Sequence, residues 1–211
     1  LEFDFLNLNI SLGNYGFLIT PLFIVIFLNA LNLFDGVNLQ SSSYFSLYFI
    51  FFLFNNIDIG AYIFLLVFIV FFSINNFRNK VFLGDSGITL FAITISFIII
   101  TNYNSIGSLI RCEDVFAMMF LPGIDMLRLY FLRIFNKKNP FLPDKNHMHH
   151  YLIRLISSKY VFLYQLLFNL ILLYVIYVLN IHFTIILVSA LLLYLVTIIA
   201  TNANKNISTT S

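Results

Sequence analysis

The side chains able to do chemistry in this chain fall at the ends of apolar segments. Asp35 closes Asn32-Leu33-Phe34-Asp35-Gly36, just after an uncharged run, and Asp85 sits in Phe82-Leu83-Gly84-Asp85-Ser86-Gly87, just before another. His147, His149 and His150 fall in the one long basic loop. Carboxylates at such places suit a divalent cation, and imidazoles beside lysine suit an anion. A membrane enzyme acting on a polar, charged substrate would distribute its residues in this way.

Each group also has a plainer reading. Asn32 and Asp35 are three apart at a helix end and share a face. Gly36 then ends the helix and allows close approach of a ligand, but an Asp-Gly capping turn at the membrane surface is an equally familiar use, and Asn38 could be one more turn residue. In Leu83-Gly84-Asp85-Ser86-Gly87 the carboxylate could take Mg²⁺ while free N–H groups take phosphate oxygen, or Asp85 or Ser86 could simply cap the following helix. Asp125, Arg128 and Arg133 lie beyond Pro122-Gly123 in an otherwise apolar segment, where ionisable groups are functional or paired, and Asp125 and Arg128 could pair with each other. In Pro143-Asp144-Lys145-Asn146-His147-Met148-His149-His150, a zinc site lacks a separate fourth ligand such as a second cysteine. An anion site fits better, with the imidazoles, Lys145 and the start of the next helix all turned toward negative charge.

The elements that must position these groups are transmembrane helices. Hydrophobic residues make up 61% of the 211 and charged residues 9%, with a mean hydropathy of +0.96. A soluble domain of this size could not hide that much apolar surface. The fold class is therefore all-α, a polytopic helical bundle in a single membrane domain over residues 1–211. Uncharged runs at Gly16–Phe34, Ser43–Phe54, Ile59–Asn76 and Gly87–Thr101, the amphipathic Val115–Phe135 and a double-length run from Tyr160 to Ala203, divided at Asn180-Ile181-His182, predict about seven spans. Pro122-Gly123 should break or kink the fifth, and the polar stretch from Thr201 to Ser211 should fray. The runs are continuous rather than alternating, which excludes a barrel.

With Leu1 outside, Arg78, Lys80, Lys137, Lys138, Lys145, Arg154, Lys159 and Lys205 fall inside, with Arg128 and Arg133 near that face and only Arg111 opposite. Loops near 35–42, 77–86 and 134–159 then become cytoplasmic, and Asp35, Asp85 and the histidines lie there although none of them was used to choose the side. The single Cys112 excludes an internal disulfide. The 27 Phe and 12 Tyr against no Trp read as the residue usage of an AT-rich genome rather than an aromatic cofactor box.

Taken in order, Asn32 to Gly36, Phe82 to Gly87, Pro122 to Arg128 and the Pro140 to His150 loop resemble the polyprenyl-phosphate N-acetylhexosamine-1-phosphate transferases, glycosyltransferases of which the bacterial undecaprenyl-phosphate N-acetylglucosamine-1-phosphate transferases are one branch. The resemblance runs from Gly16 onward, and the Pro-Asp-Lys-Asn-His-Met-His-His string is closer to that branch than to the peptidoglycan branch. It implies transfer of a sugar 1-phosphate from a UDP-sugar to a polyprenyl phosphate, releasing UMP and beginning a cell-envelope glycan. It further implies Mg²⁺, with Mn²⁺ as the alternative, touched by Asn32 and Asp85. Asp35 would position the nucleotide-sugar, and His147, His149 and His150, with Asn38, Arg128 and Lys145, would hold the donor. The implied partners are the donor, the lipid acceptor and the bilayer of a bacterial inner membrane, with no nucleic acid and with homodimerisation left open.

Asn38 stands where many relatives have a second Asp, and Ile88 where they commonly have Ser. The family's paired aspartates on an earlier cytoplasmic loop are absent, so the chain is read as the C-terminal part of a longer transferase, inactive alone. The rival class is a transporter or channel subunit with Asp35 and Asp85 lining an ion path. Against it, carriers bind at the midplane, whereas these acids cluster at helix ends. A non-catalytic scaffold gives no reason for the histidine loop.

Overall fold

The computed structural model describes residues 2–5, 8–11, 13–55, 59–103, 110–139, 146–179 and 183–208. A short antiparallel hairpin, β1 (Glu2–Phe5) and β2 (Leu8–Ser11), pairs Glu2 with Ser11 and Phe5 with Leu8. The apolar runs had given no hint of it. Helices follow: α1 (Gly16–Phe34), α2 (Gln40–Phe54), α3 (Ile59–Phe77), α4 (Gly84–Tyr103), α5 (Cys112–Phe135), the five-residue α6 (Met148–Leu152), α7 (Val161–Tyr177) and α8 (Phe183–Ser208).

Five segments are long and apolar enough to cross a membrane, namely Gly13–Phe34, Gly84–Tyr103, Glu113–Phe135, Ser158–Tyr177 and Phe183–Thr201. Tyr62–Phe77 of α3 is a shorter apolar stretch. The helix α2, with 15 residues, is about 22 Å long against a hydrocarbon core of about 30 Å.

That short helix is the most enclosed. Tyr44, Phe45, Tyr48, Phe49 and Phe52 of α2 are all at most 2% exposed. Its rings meet three neighbours: Tyr48 lies edge-on to Phe27 of α1 at 5.9 Å, Phe45 stacks on Phe91 of α4 at 4.9 Å, and Phe52 tilts against Tyr62 of α3 at 5.7 Å. In lipid, burial of apolar surface gives helices little reason to associate, so close packing of this kind must hold them. Each ring pair adds about 0.5–1.5 kcal/mol. The aromatic bias of the composition thus has a structural use at the centre of the bundle. Outward faces carry exposed Phe17, Phe64, Phe71, Phe97, Leu192 and Ile199, as lipid contact allows, because the helical backbone is satisfied internally.

Three expectations need correction. Helix α5 continues through Pro122-Gly123. Proline removes one backbone donor, but Phe120, Leu121 and Met126 around it are buried, and neighbouring helices hold such a segment in register. Helix α8 extends to Ser208 instead of fraying from Thr201. Helix α4 begins at Gly84, so Asp85 lies inside its first turn rather than at a cap before it.

Helix α1 packs on α4 and α5, α2 on α3 and α7, α5 on α7, and α8 on α6 and α7. The α1–α2 turn, the α3–α4 turn and α6 meet at one end of the bundle, through the contacts described next.

Candidate active site

The α1–α2 turn is held by side chains from its own helix start. Asp35 ends α1, its N–H donating to the Leu31 carbonyl at 3.1 Å. The Gln40 amide oxygen accepts the Gly36 and Val37 N–H groups, both at 3.2 Å, and the Ser41 hydroxyl donates to Asp35 Oδ1 at 2.7 Å. Leu39 adopts a left-handed φ of +67°, which costs a non-glycine residue about 1 kcal/mol or more. The N–H of Leu39 is captured by Asn76 Oδ1 at 2.6 Å, and the Asn76 amide donates onward to the Val81 carbonyl at 2.8 Å. Asn38 donates to Asn79. The α1–α2 and α3–α4 turns are therefore locked together. Between them lies a cavity of about 130 Å³ lined by Asp35, Gly36, Asn38, Ser41, Asn76 and Phe82 among others.

Asp85 is exposed in the first turn of α4, after Gly84 with its left-handed φ of +66°. Its charge reaches Asp35. Burial, chiefly, and then repulsion by Asp85 raise the Asp35 carboxyl above the ordinary carboxylate range, while the Ser41 hydrogen bond opposes them. The ends of two helices thus bring two carboxylates into one electrostatic neighbourhood. Asn32 is exposed one turn before Asp35 and has no hydrogen-bond partner among the described residues.

The histidine loop closes over this turn from the other side. A methyl group on Gly36 would lie 2.0 Å from Nε2 of His149, so only glycine lets that ring rest on the backbone beside Asp35. The His147 and His149 rings stack in parallel at 5.6 Å, and His149 and His150 lie 4.1 Å apart. Burial, with help from the charges of His150 and His147 and against that of Asp125, lowers His149 to about 3. This ring is neutral at physiological pH, so it offers an anion an N–H and not a charge. No group of three or more His, Cys, Asp or Glu among the described residues is arranged to hold a metal ion. Lys145 and Asp144, with 140–143, lie outside the described residues, as does His182.

Asp125 anchors the loop. Its carboxylate accepts the Met148 N–H at 3.1 Å, faces Nδ1 of His147 at 3.3 Å, and accepts the Tyr194 hydroxyl of α8 at 2.7 Å and Nη2 of Arg128 at 2.8 Å. Arg128 also donates Nε to the Tyr194 oxygen at 2.6 Å and Nη2 to the Asn146 carbonyl at 2.5 Å. The expected Asp125–Arg128 pair is therefore present. It grips three successive loop residues, at a carbonyl, a ring and an amide. Arg128, read from the sequence as a donor-binding residue, is engaged in this clamp.

Sequence reasoning missed Gln40, Ser41, Asn76, Asn79 and Tyr194. The Asn75-Asn76 doublet at the end of an apolar helix was a usable signal. Tyr194 gave none, being one more aromatic in a leucine-rich run.

Parts of the chain are similar to curated relatives. The chain is 33% identical over 87 residues to the undecaprenyl-phosphate alpha-N-acetylglucosaminyl 1-phosphate transferase of Haemophilus influenzae, covering 41% of the chain and 24% of that protein. It is 25% identical over 154 residues to the protein of the same name from Salmonella typhi, covering 68% of the chain and 42% of the relative. With that of Escherichia coli K12 it shares 24% over 165 residues, 73% of the chain and 45% of the relative. Over part of its length, the chain is a homologue of these transferases. It spans less than half the length of the curated relatives it matches. No family model matches the chain, and no solved structure matches it.

Proposed function

We propose that the chain contributes the donor-binding and metal-binding part of an enzyme that moves a sugar 1-phosphate, N-acetylglucosamine or a related N-acetylhexosamine, from a UDP-sugar to a polyprenyl phosphate. A phosphate oxygen of the lipid attacks the sugar-bearing phosphorus of the donor. The bond from that phosphorus to the bridging oxygen breaks, and UMP leaves with that oxygen. The observation that carries this reading is the meeting of Asp35, Asp85 and His149 from three separate segments at one end of the bundle.

The site's donors fit a hard cation. Asp85 is exposed, and Asp35 keeps Oδ2 free of any described hydrogen bond while sharing repulsion with Asp85. Magnesium is commonly held by one or two carboxylates with substrate phosphates completing its shell. Asp85 and Asn32 would hold the ion, and Asp35, fixed by Ser41, would orient the donor. When bound, the ion neutralises phosphate charge as it builds up during transfer. His149 presents a neutral ring beside Asp35, and His147 and His150 extend that surface toward the pyrophosphate.

Placement at a bundle end supports a membrane enzyme over a channel, whose acids would lie deeper. The exposed Arg78, Lys80, Lys137, Lys138 and Lys159 flank the elements of this same end, which favours the cytoplasmic face of a bacterial inner membrane. The complete gene product, reconstituted with undecaprenyl phosphate, UDP-N-acetylglucosamine and Mg²⁺, should release UMP in step with formation of lipid-linked sugar pyrophosphate. A folded preparation that transfers no N-acetylhexosamine phosphate under these conditions would refute the assignment.

A further inference from the structure

Asp125 reaches the histidine loop from α5, but one of its fixed points comes from the last helix. The Tyr194 hydroxyl is used in both senses at once, donating to Asp125 Oδ1 at 2.7 Å and accepting from Arg128 Nε at 2.6 Å. The side chain is 1% exposed overall. With Oδ1 held by Tyr194 and Arg128, Oδ2 faces the loop and meets the Met148 N–H and His147 Nδ1. A carboxylate accepts, so it selects the His147 tautomer that carries its proton on Nδ1. Nε2 is then the free lone pair of that ring. His147 stacks on His149, and His149 rests on Gly36 beside Asp35. A continuous line of contacts runs from α8 to the end of α1.

We propose that Tyr194 is a positioning residue: by fixing the Asp125 carboxylate it sets the tautomer of His147 and keeps the histidine loop docked against the Asp35 turn. Simple core packing would need the ring but not the hydroxyl, since phenylalanine fills the same space. Without the hydroxyl, Oδ1 keeps only Arg128 and the Met148 N–H that it shares with Oδ2, so the carboxylate can rotate toward Arg128 and its hold on His147 Nδ1 is weakened. The proposal rests on the transferase reading only for the consequence in turnover. The tautomer itself is a property of the chain.

The molecule holds its own control. Tyr164 of α7 makes a hydroxyl bond to Thr197 of α8 at 2.6 Å, one turn from Tyr194 and joined to no described residue of the loop. Tyr164→Phe and Tyr194→Phe each remove one phenolic oxygen from the same helix pair.

The test uses the complete gene product in lipid nanodiscs with ¹⁵N-labelled histidine, the His147 signals being assigned by their loss in His147→Gln. The wild type and Tyr164→Phe should show His147 protonated on Nδ1. Tyr194→Phe should shift it to a mixture with the Nε2–H form and lower kcat at least ~10-fold, with the donor KM changed much less, because the loop is misplaced rather than removed. Wild-type histidine signals in Tyr194→Phe overturn the proposal, as do equal losses of kcat in the two tyrosine variants. If no protein transfers sugar phosphate, the transferase reading fails while the tautomer still decides the role of Tyr194. Should Tyr194→Phe not fold, 3,5-difluorotyrosine at 194 keeps the ring and hydroxyl but changes its acidity. A moved His147 Nδ1 signal then supports the proposal, and an unmoved one overturns it.

Discussion

Asp125 and the Asp35–Asp85 pair lie at the same end of one bundle and are used in opposite ways. Asp125 is 3% exposed, and both of its oxygens are taken by a tyrosine, an arginine, a histidine and a backbone amide. Asp35 has one partner, Ser41, and Asp85 is exposed and has no ion pair among the described residues. A saturated carboxylate holds structure, because nothing is left to offer a ligand. A carboxylate left open beside another of like charge gains most from binding a cation. From sequence alone Asp125 is equally a functional acid and one half of an ion pair, and only its saturated contacts separate it from the open pair.

The sharpest way to break this comparison is to neutralise each side. Asp85→Asn in the complete gene product should lower Mg²⁺-dependent turnover at least ~100-fold while leaving the thermal midpoint in detergent near that of the wild type. Asp125→Ala should do the reverse first, lowering stability by about 2–4 kcal/mol, because the partly buried Arg128 is left without its carboxylate and the Met148 amide without its acceptor. Circular dichroism melting and a transfer assay on the same preparations separate the two. If Asp125→Ala melts like the wild type, or if Asp85→Asn stays active, the division of labour is wrong.

A smaller effect tests the junction between the two regions. Gly36→Ala places a methyl group on the His149 ring, so the loop or the Asp35 turn must move. A shift of this kind should cost ~30-fold in turnover with little loss of helix content. The same variant should lower the thermal midpoint, and adding His149→Ala should restore part of that midpoint by removing the obstacle. If the double variant melts no higher than Gly36→Ala, the contact is not what glycine protects.

The bundle was largely legible before the structure because uncharged runs are a direct record of lipid contact. The division of Tyr160–Ala203 into α7 and α8 followed from the length of the run, and the three-residue spacing of Asp125 and Arg128 offered their pairing as one of two readings. What stayed hidden depends on tertiary meeting. Nothing around Tyr194 marks it as the partner of a residue 69 positions away, and Gln40 and Ser41 read as the polar start of a span. Pro122 does not end α5, because packing on both sides of the helix outweighs local propensity.

Acid sensitivity should sharpen the account of His149. Its ring is held neutral, titrating near 3 instead of its usual 6.5, so between those values the unfolded chain binds the extra proton. Stability must therefore rise with pH across that window and be lost as pH falls through it. His149→Gln removes this term. Measured without added metal, the wild type should lose about 2 kcal/mol more than His149→Gln between pH 7 and pH 5. Parallel stability curves for the two proteins would show that the ring is not buried against Gly36 as described.

The smallest effect belongs to the far end of α5, where the same chemistry recurs in a different setting. Arg111 and Asp114 are three apart, as Asp125 and Arg128 are, and Nη2 reaches Oδ1 at 3.0 Å. Here the arginine side chain is 49% exposed although Asp114 is fully buried, so water screens the attraction from the arginine side. Asp114 also keeps the Arg111 backbone N–H at 3.1 Å and its place at the helix start when the side chain is removed. The Arg111 guanidinium lies 4.8 Å from the Tyr177 ring centre, which adds a modest tie to α7. Arg111→Ala should accordingly cost about 1 kcal/mol or less in detergent melting, with turnover unchanged, whereas Asp125→Ala unsettles the loop. A large loss of turnover in Arg111→Ala would mean that the two ends of α5 are coupled, and that the site end does not owe its behaviour to the Asp125 clamp alone.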